Sequence, residues 1–74
     1  MAAPIEFPLE GEHVALNQLL KLVGLCDSGG AGKAIVASGA VFVDGEVELR
    51  KTCKIRAGQT VELDGQVVRV LPAG

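Results

Sequence analysis

The stretch Ser28-Gly29-Gly30-Ala31-Gly32-Lys33-Ala34-Ile35-Val36-Ala37-Ser38-Gly39-Ala40-Val41-Phe42-Val43-Asp44-Gly45 changes its period halfway along, and that change sets the fold class. Ser28 is a credible N-cap, because its hydroxyl can accept one of the orphan backbone N–H groups of a helix start. The helix it opens runs to about Ser38, with Ala31, Ala34 and Ile35 inward. Gly39 stands where a C-cap needs a left-handed residue. Gly29, Gly30 and Gly32 are poor helix formers, so something must compensate in the first turn. Close approach of another backbone or of a ligand is the usual reason for such glycines. Past Gly39, Val41-Phe42-Val43 reads as a strand, and Asp44-Gly45 signals a tight hairpin turn.

Upstream, Leu16, Leu19, Leu20 and Val23 fall at i, i+3, i+4 and i+7. That is one face of a first helix, read from His13 and stopped at Gly24. Residues 1–12 form an arm, in which Ile5-Glu6-Phe7-Pro8-Leu9 alternates as an edge strand would, the place where a proline is tolerated. Downstream, two registers are open for the hairpin. A two-residue loop pairs Phe42 with Val47; a three-residue loop pairs Val43 with Val47 and puts Val41, Val43, Val47 and Leu49 on one face. Turn chemistry favours the first and burial the second, and the second is preferred here. A further hairpin around Asp64-Gly65 pairs Val61 with Val68, with Leu63, Val68 and Val70 on the same face. Two helices followed by several strands give an α+β domain, a helical pair packed on a small antiparallel sheet. It spans residues 13–71, with 72–74 as a tail.

The chain has 74 residues, enough for one domain with a thin core. Hydrophobic residues make up 49%, which excludes disorder by composition. There is no Trp or Tyr, so Phe7 and Phe42 are the only candidate stacking platforms for single-stranded nucleic acid. Cys26 and Cys53 are too few for a disulfide framework, and with His13 as the one histidine a structural zinc site lacks ligands. Both thiols are expected to be reduced and partly buried. The start Met1-Ala2-Ala3-Pro4-Ile5-Glu6 has neither a basic nor an apolar signal region, and no run is long enough to span a membrane. A cytoplasmic monomer is the expectation.

The net charge is −2, yet Arg50, Lys51, Lys54 and Arg56 account for four of the seven basic residues and no acid interrupts them. A local basic patch on an acidic protein favours selective over non-specific attraction of a polyanion.

From Ala15 to Val61 the chain resembles the S4 domain. The matching positions are Leu16, Asn17, Leu20, Ser28, Lys33, Val36, Gly39, Val41, Val43, Asp44, Gly45, Ile55 and Gly58, without a gap from Leu16 to Gly45. The runs Arg50-Lys51-Thr52-Cys53-Lys54-Ile55 and Ala57-Gly58-Gln59-Thr60-Val61 are similar to those of short stand-alone bacterial S4-like proteins. The resemblance implies the helical pair known as the αL motif and RNA binding without catalysis. It also implies structured RNA as partner, of the ribosomal RNA or tRNA class and in a ribosome-associated setting, recognised by fold and backbone. Two family arginines are missing: Ala15 and Gly29 stand in their places. The RNA surface is therefore expected to shift toward Lys33 and the Arg50–Arg56 loop.

The candidate RNA-binding residues are Asn17, Lys21, Ser28, Gly30, Lys33, Arg50, Lys51, Lys54 and Arg56. The loop cations suit phosphates. Exposed amides at Ser28-Gly29-Gly30 with Lys33 suit one more, although Asp27 would repel it, and a glycine-rich start packed on a neighbour reads equally well. Lys21 and Asn17, one turn apart, extend the surface or lie on a solvated helix face. Arg56 is also placed to pair with Glu48 or Glu62. Gly29-Gly30-Ala31-Gly32-Lys33 lacks the first glycine and the hydroxyl residue of a nucleotide-binding P-loop. No catalytic residue, metal or cofactor is expected, and His13 reads as exposed. Two other functions compete: a protein-interaction adaptor, allowed by the net acidity, and a ubiquitin-like sulfur carrier, suggested by Ala73-Gly74 but opposed by Ala73 and the two leading helices.

Overall fold

A computed structural model of the chain describes residues 3–72, so Ala73-Gly74 and the sulfur-carrier reading built on them lie outside the described residues. The elements are β1 (Ile5–Pro8), β2 (Val14–Ala15), α1 (Leu16–Leu22), α2 (Gly29–Ala37), β3 (Val41–Val43), β4 (Glu46–Val47), β5 (Lys54–Ile55), β6 (Thr60–Leu63) and β7 (Gln66–Leu71). They give the expected α+β architecture of two helices on a sheet. The main sheet runs β1-β7-β6-β3-β4, and β2 and β5 form a separate two-stranded ladder. Every pairing is antiparallel except β1 with β7, which is parallel, so the main sheet is mixed.

Leu16, Leu19 and Leu20 are fully buried, as their spacing dictates, and Val23 packs against the same core. They meet Val36 from α2 and the inward residues Val41, Val43, Val61, Leu63, Val68 and Val70 of the sheet. The first helix starts three residues later than read from His13. Val14 and Ala15 are held extended by pairing with Ile55 and Lys54, a long-range constraint with no local signature. Gly24 ends α1 with φ +83°.

Ser28 caps α2: its hydroxyl accepts from the Ala31 N–H at 3.1 Å, and Gly39 closes the helix at φ +83°. The buried face of α2 differs from the expected one. Gly32 and Val36 are innermost, Ala31 and Ile35 are half-buried, and Ala34 is exposed. The crossing with α1 causes this. A Cβ on Gly32 would lie 2.6 Å from the Asn17 carbonyl oxygen, so the helix turns its smallest residue to its neighbour.

The first hairpin also differs. Phe42 pairs with Val47 and Val43 with Glu46 around a two-residue loop. Asp44 (φ +52°) and Gly45 (φ +85°) both take the positive φ that this tight turn demands. Turn geometry therefore outweighed the burial argument: Val47 stays 51% exposed and Leu49 59% exposed. In the second hairpin Val61 pairs with Val68 as expected.

Candidate nucleic-acid interface

The segment from Glu48 to Cys53 is fastened to the start of α1. No side chain caps that helix; instead Leu16 N–H donates to the Cys53 carbonyl at 2.8 Å and Asn17 N–H to the Lys51 carbonyl at 3.2 Å. Loop carbonyls thus satisfy the orphan donors of the helix end. With its carbonyls turned inward, the loop leaves Arg50, Lys51, Lys54 and Arg56 exposed. The far side of the loop is pinned as well: Arg56 N–H donates to Gln59 Oε1 at 2.7 Å, and Gln59 Nε2 donates to Asp44 Oδ2 at 3.2 Å.

Asn17 joins this loop to α2. Its backbone N–H holds Lys51, its side-chain Nδ2 donates to the Gly29 carbonyl at 3.3 Å, and its backbone abuts Gly32. The side chain is 3% exposed. Asn17 is therefore enclosed between the loop and α2 and is not exposed beside the loop cations. Its Oδ1 is buried with no partner.

Ser28 spends its hydroxyl oxygen on the cap, and its carbonyl accepts from Cys26 Sγ at 3.3 Å. Gly30 is exposed, and nothing within 3.9 Å would obstruct a Cβ there. Lys33 is exposed on α2. Lys21 is exposed in the last turn of α1, at the opposite end from the loop. The structure thus brings the loop, the start of α1 and the start of α2 together through Asn17, and sets Lys21 apart.

One participant has a different partner from the one expected. Glu48 takes Arg50 side-on: Nε donates to Oε2 at 2.9 Å, Nη2 to Oε1 at 3.1 Å, and the Arg50 backbone N–H also to Oε2 at 2.9 Å. Glu48 pairs with Arg50 and not with Arg56, and Arg50 is not a free cation. These hydrogen bonds to the Arg50 side chain and backbone hold the Glu48 carboxyl at a pKa of about 2. The neighbouring Cys53 thiol is pushed up, first by burial and then by Glu48, and stays neutral. Both cysteines are free and half-buried, and His13 is exposed. Among the described residues no cluster of His, Cys, Asp or Glu could hold a metal ion, and no helix is long and apolar enough to cross a membrane.

Known proteins resemble this chain in sequence and in fold. A family model described as S4 domain matches residues 7–71. "Putative RNA-binding protein YbcJ" of Escherichia coli (strain K12) is 54% identical over 59 residues, 80% of this chain and 84% of that protein. "Probable ribosome maturation protein RlbA" of Bacillus subtilis (strain 168) is 35% identical over 65 residues, 88% of this chain and 89% of that one. The solution structure of YbcJ from E. coli, described as revealing an αL motif involved in RNA-binding, superposes with a TM-score of 0.73 at 49% identity. That likeness covers 96% of this chain and 91% of the other.

Proposed function

The chain belongs to the S4 domain family, and from that membership we propose a non-catalytic module that holds structured RNA by its backbone phosphates. The loop docked on the start of α1 carries this reading. Its backbone is fixed by hydrogen bonds to Leu16, Asn17 and Gln59 while its cations face solvent. Charges held on a fixed backbone lose less freedom on binding than charges on a mobile loop. The register supports the shift of the surface away from the two absent arginines. Ala15, where the family carries one of them, lies directly across the ladder from Lys54, so Lys54 supplies a charge beside the vacated place. Lys51 and Arg56 extend the patch, with Lys33 as a further contact on α2. The ribosome maturation name of the Bacillus relative favours ribosomal RNA over tRNA. In this reading the module is a monomer working in the cytoplasm.

Binding of a structured RNA hairpin, a single-stranded RNA and a DNA duplex at several salt concentrations tests this. Wild type is expected to prefer the hairpin, with log Kd changing by about 0.7 to 0.9 per phosphate contact for each tenfold change in salt. A Lys51→Ala, Lys54→Ala variant, folded by its amide spectrum, should bind more weakly and with a shallower salt dependence. Folded wild type that binds none of the RNAs at low salt would remove the proposal and put a protein-interaction adaptor in its place.

A further inference from the structure

Arg50 differs from the other cations of its loop because it is already partnered. Glu48 occupies its Nε edge, and the Glu48 side chain is only 16% exposed against 79% for Arg50. The Glu48–Arg50 pair is close to neutral as a unit, so it adds little to the attraction of a polyanion. A guanidinium has five N–H donors, and two of them serve Glu48. The edge beyond Glu48 remains open as a two-donor fork. Three hydrogen bonds donated to one carboxylate, one of them by the Arg50 backbone N–H, fix the direction of this fork. Beside it lies a hollow of about 410 Å³ lined by Arg50, Thr52, Cys53 and Lys54, with room for one nucleobase. The Cys53 thiol on its wall is neutral, so no negative charge from that residue opposes an incoming acceptor.

We propose that Arg50, oriented by Glu48, reads the O6 and N7 edge of an unpaired guanine seated in this hollow. Glu48 is the positioning residue. A guanine offers two adjacent acceptors on that edge, which match a two-donor fork. On that edge adenine turns a donor toward one of the two N–H groups, and uracil has no two adjacent acceptors. An unpaired cytosine presents O2 and N3 side by side, so a pool that enriches cytosine in place of guanine would overturn the assignment. Unpaired, splayed bases are what sequence-reading proteins take from RNA. A phosphate would match the fork in shape, but a near-neutral pair holds it less well than the free cations Lys51 and Lys54 next to it. The inference rests on the RNA-binding reading above and adds to it a base preference.

The probe is a pool of RNA hairpins with a randomised loop, equilibrated with wild type, Arg50→Lys, Arg50→Gln and Glu48→Gln, each checked for folding by its amide spectrum. Wild type should enrich an unpaired guanine by about 5-fold or more over adenine at one loop position. Replacing that guanine by 7-deazaguanine, which lacks N7, should remove the advantage. Arg50→Lys keeps the charge and should lose the enrichment. Arg50→Gln should lose it with no change in salt dependence. Glu48→Gln should also lose it, while its salt dependence steepens by about 0.7 to 0.9, because a loosened, uncovered Arg50 then behaves as an ordinary cation. Two results overturn the inference alone: a pool bound without guanine enrichment, or an Arg50→Gln variant whose salt dependence falls by a full phosphate contact. A pool that is not retained at all removes the RNA-binding reading itself, a distinguishable failure.

Discussion

Glu48 determines how Arg50 is presented, and the pairing has a pH signature. The Glu48 carboxyl titrates at about 2 in the folded chain, against an ordinary value of 4.5. The unfolded chain therefore takes up this proton at higher pH than the folded one. The stabilisation from the pair is complete above the ordinary value and is lost as pH falls through the folded one. Because Arg50 is largely exposed, solvent and salt screen the pair and its share of stability is small. The measurement is a carbon-detected titration of the Glu48 carboxyl by NMR. The midpoint should lie near 2 in wild type and return toward 4.5 in Arg50→Gln; a wild-type midpoint at the ordinary value would show that the clamp is open in solution. The pair was legible in part. The basic run is plain in the sequence and Glu48 is read there as a partner for Arg56; its partner is Arg50, because the carboxylate folds back to accept from the Arg50 backbone N–H as well. The burial of Asn17 was not legible for a different reason: helical periodicity places it beside Leu16 and Leu20, but only the crossing with α2 shows that its amide is enclosed.

At the scale of elements, the contact between α1 and α2 turns on one glycine. A Cβ at Gly32 would sit 2.6 Å from the Asn17 carbonyl oxygen and 3.1 Å from its Cα. That backbone cannot easily yield, since its N–H is committed to Lys51. Gly32→Ala should therefore destabilise the fold by about 1–3 kcal/mol or more, as overpacking does, despite alanine's better helix propensity. Gly30→Ala, with no atom nearer than 3.9 Å, should be neutral or stabilising by up to about 1 kcal/mol. Urea denaturation of the two variants separates them, and equal midpoints would refute the crossing as the reason for Gly32. The glycines were read as marking close approach of a backbone or of a ligand; Gly32 meets a backbone, but which glycine would do so was not legible. Caps and turns were the most readable features, because Ser28, Gly24, Gly39 and Asp44-Gly45 act through their own local backbone. The two-residue strands β2 and β5 were invisible, since each exists only through a partner some forty residues away. The first hairpin register failed because the apolar character of Val47 and Leu49 was taken as a sign of burial, whereas both stand exposed beside the free edge of the sheet.

The whole molecule is small enough that its first strand matters as much as its helices. In a chain of 74 residues the unfolded state is never far away in free energy. β1 lies in parallel beside β7 along the Ile5–Val68 to Pro8–Leu71 register, and without it β7 would become an edge. Immediately after it, Leu9 is 3% exposed within the core, and its N–H donates to the Leu71 carbonyl at 2.8 Å. Ile5 and Phe7 pack on the same core. The arm read from residues 1–12 is thus, over its Ile5–Leu9 part, a wall of the domain that presents the basic loop. Leu9→Ala removes a buried side chain and should cost about 2–4 kcal/mol. At about 4–8 °C per kcal/mol for a domain of this size, its melting temperature should fall by at least roughly 8 °C. Deleting residues 1–9 removes the strand with its Ile5 and Phe7 side chains, and Leu9 after it. The loss should exceed the whole stability of the chain, leaving no cooperative melt by circular dichroism and no salt-dependent RNA binding. A truncated chain that still melts cooperatively within a few degrees of wild type would show that the helices, β3 to β7 and the docked loop form a self-sufficient unit. RNA binding by that truncated chain would then have to match wild type, because every cation assigned to the interface lies beyond the deletion.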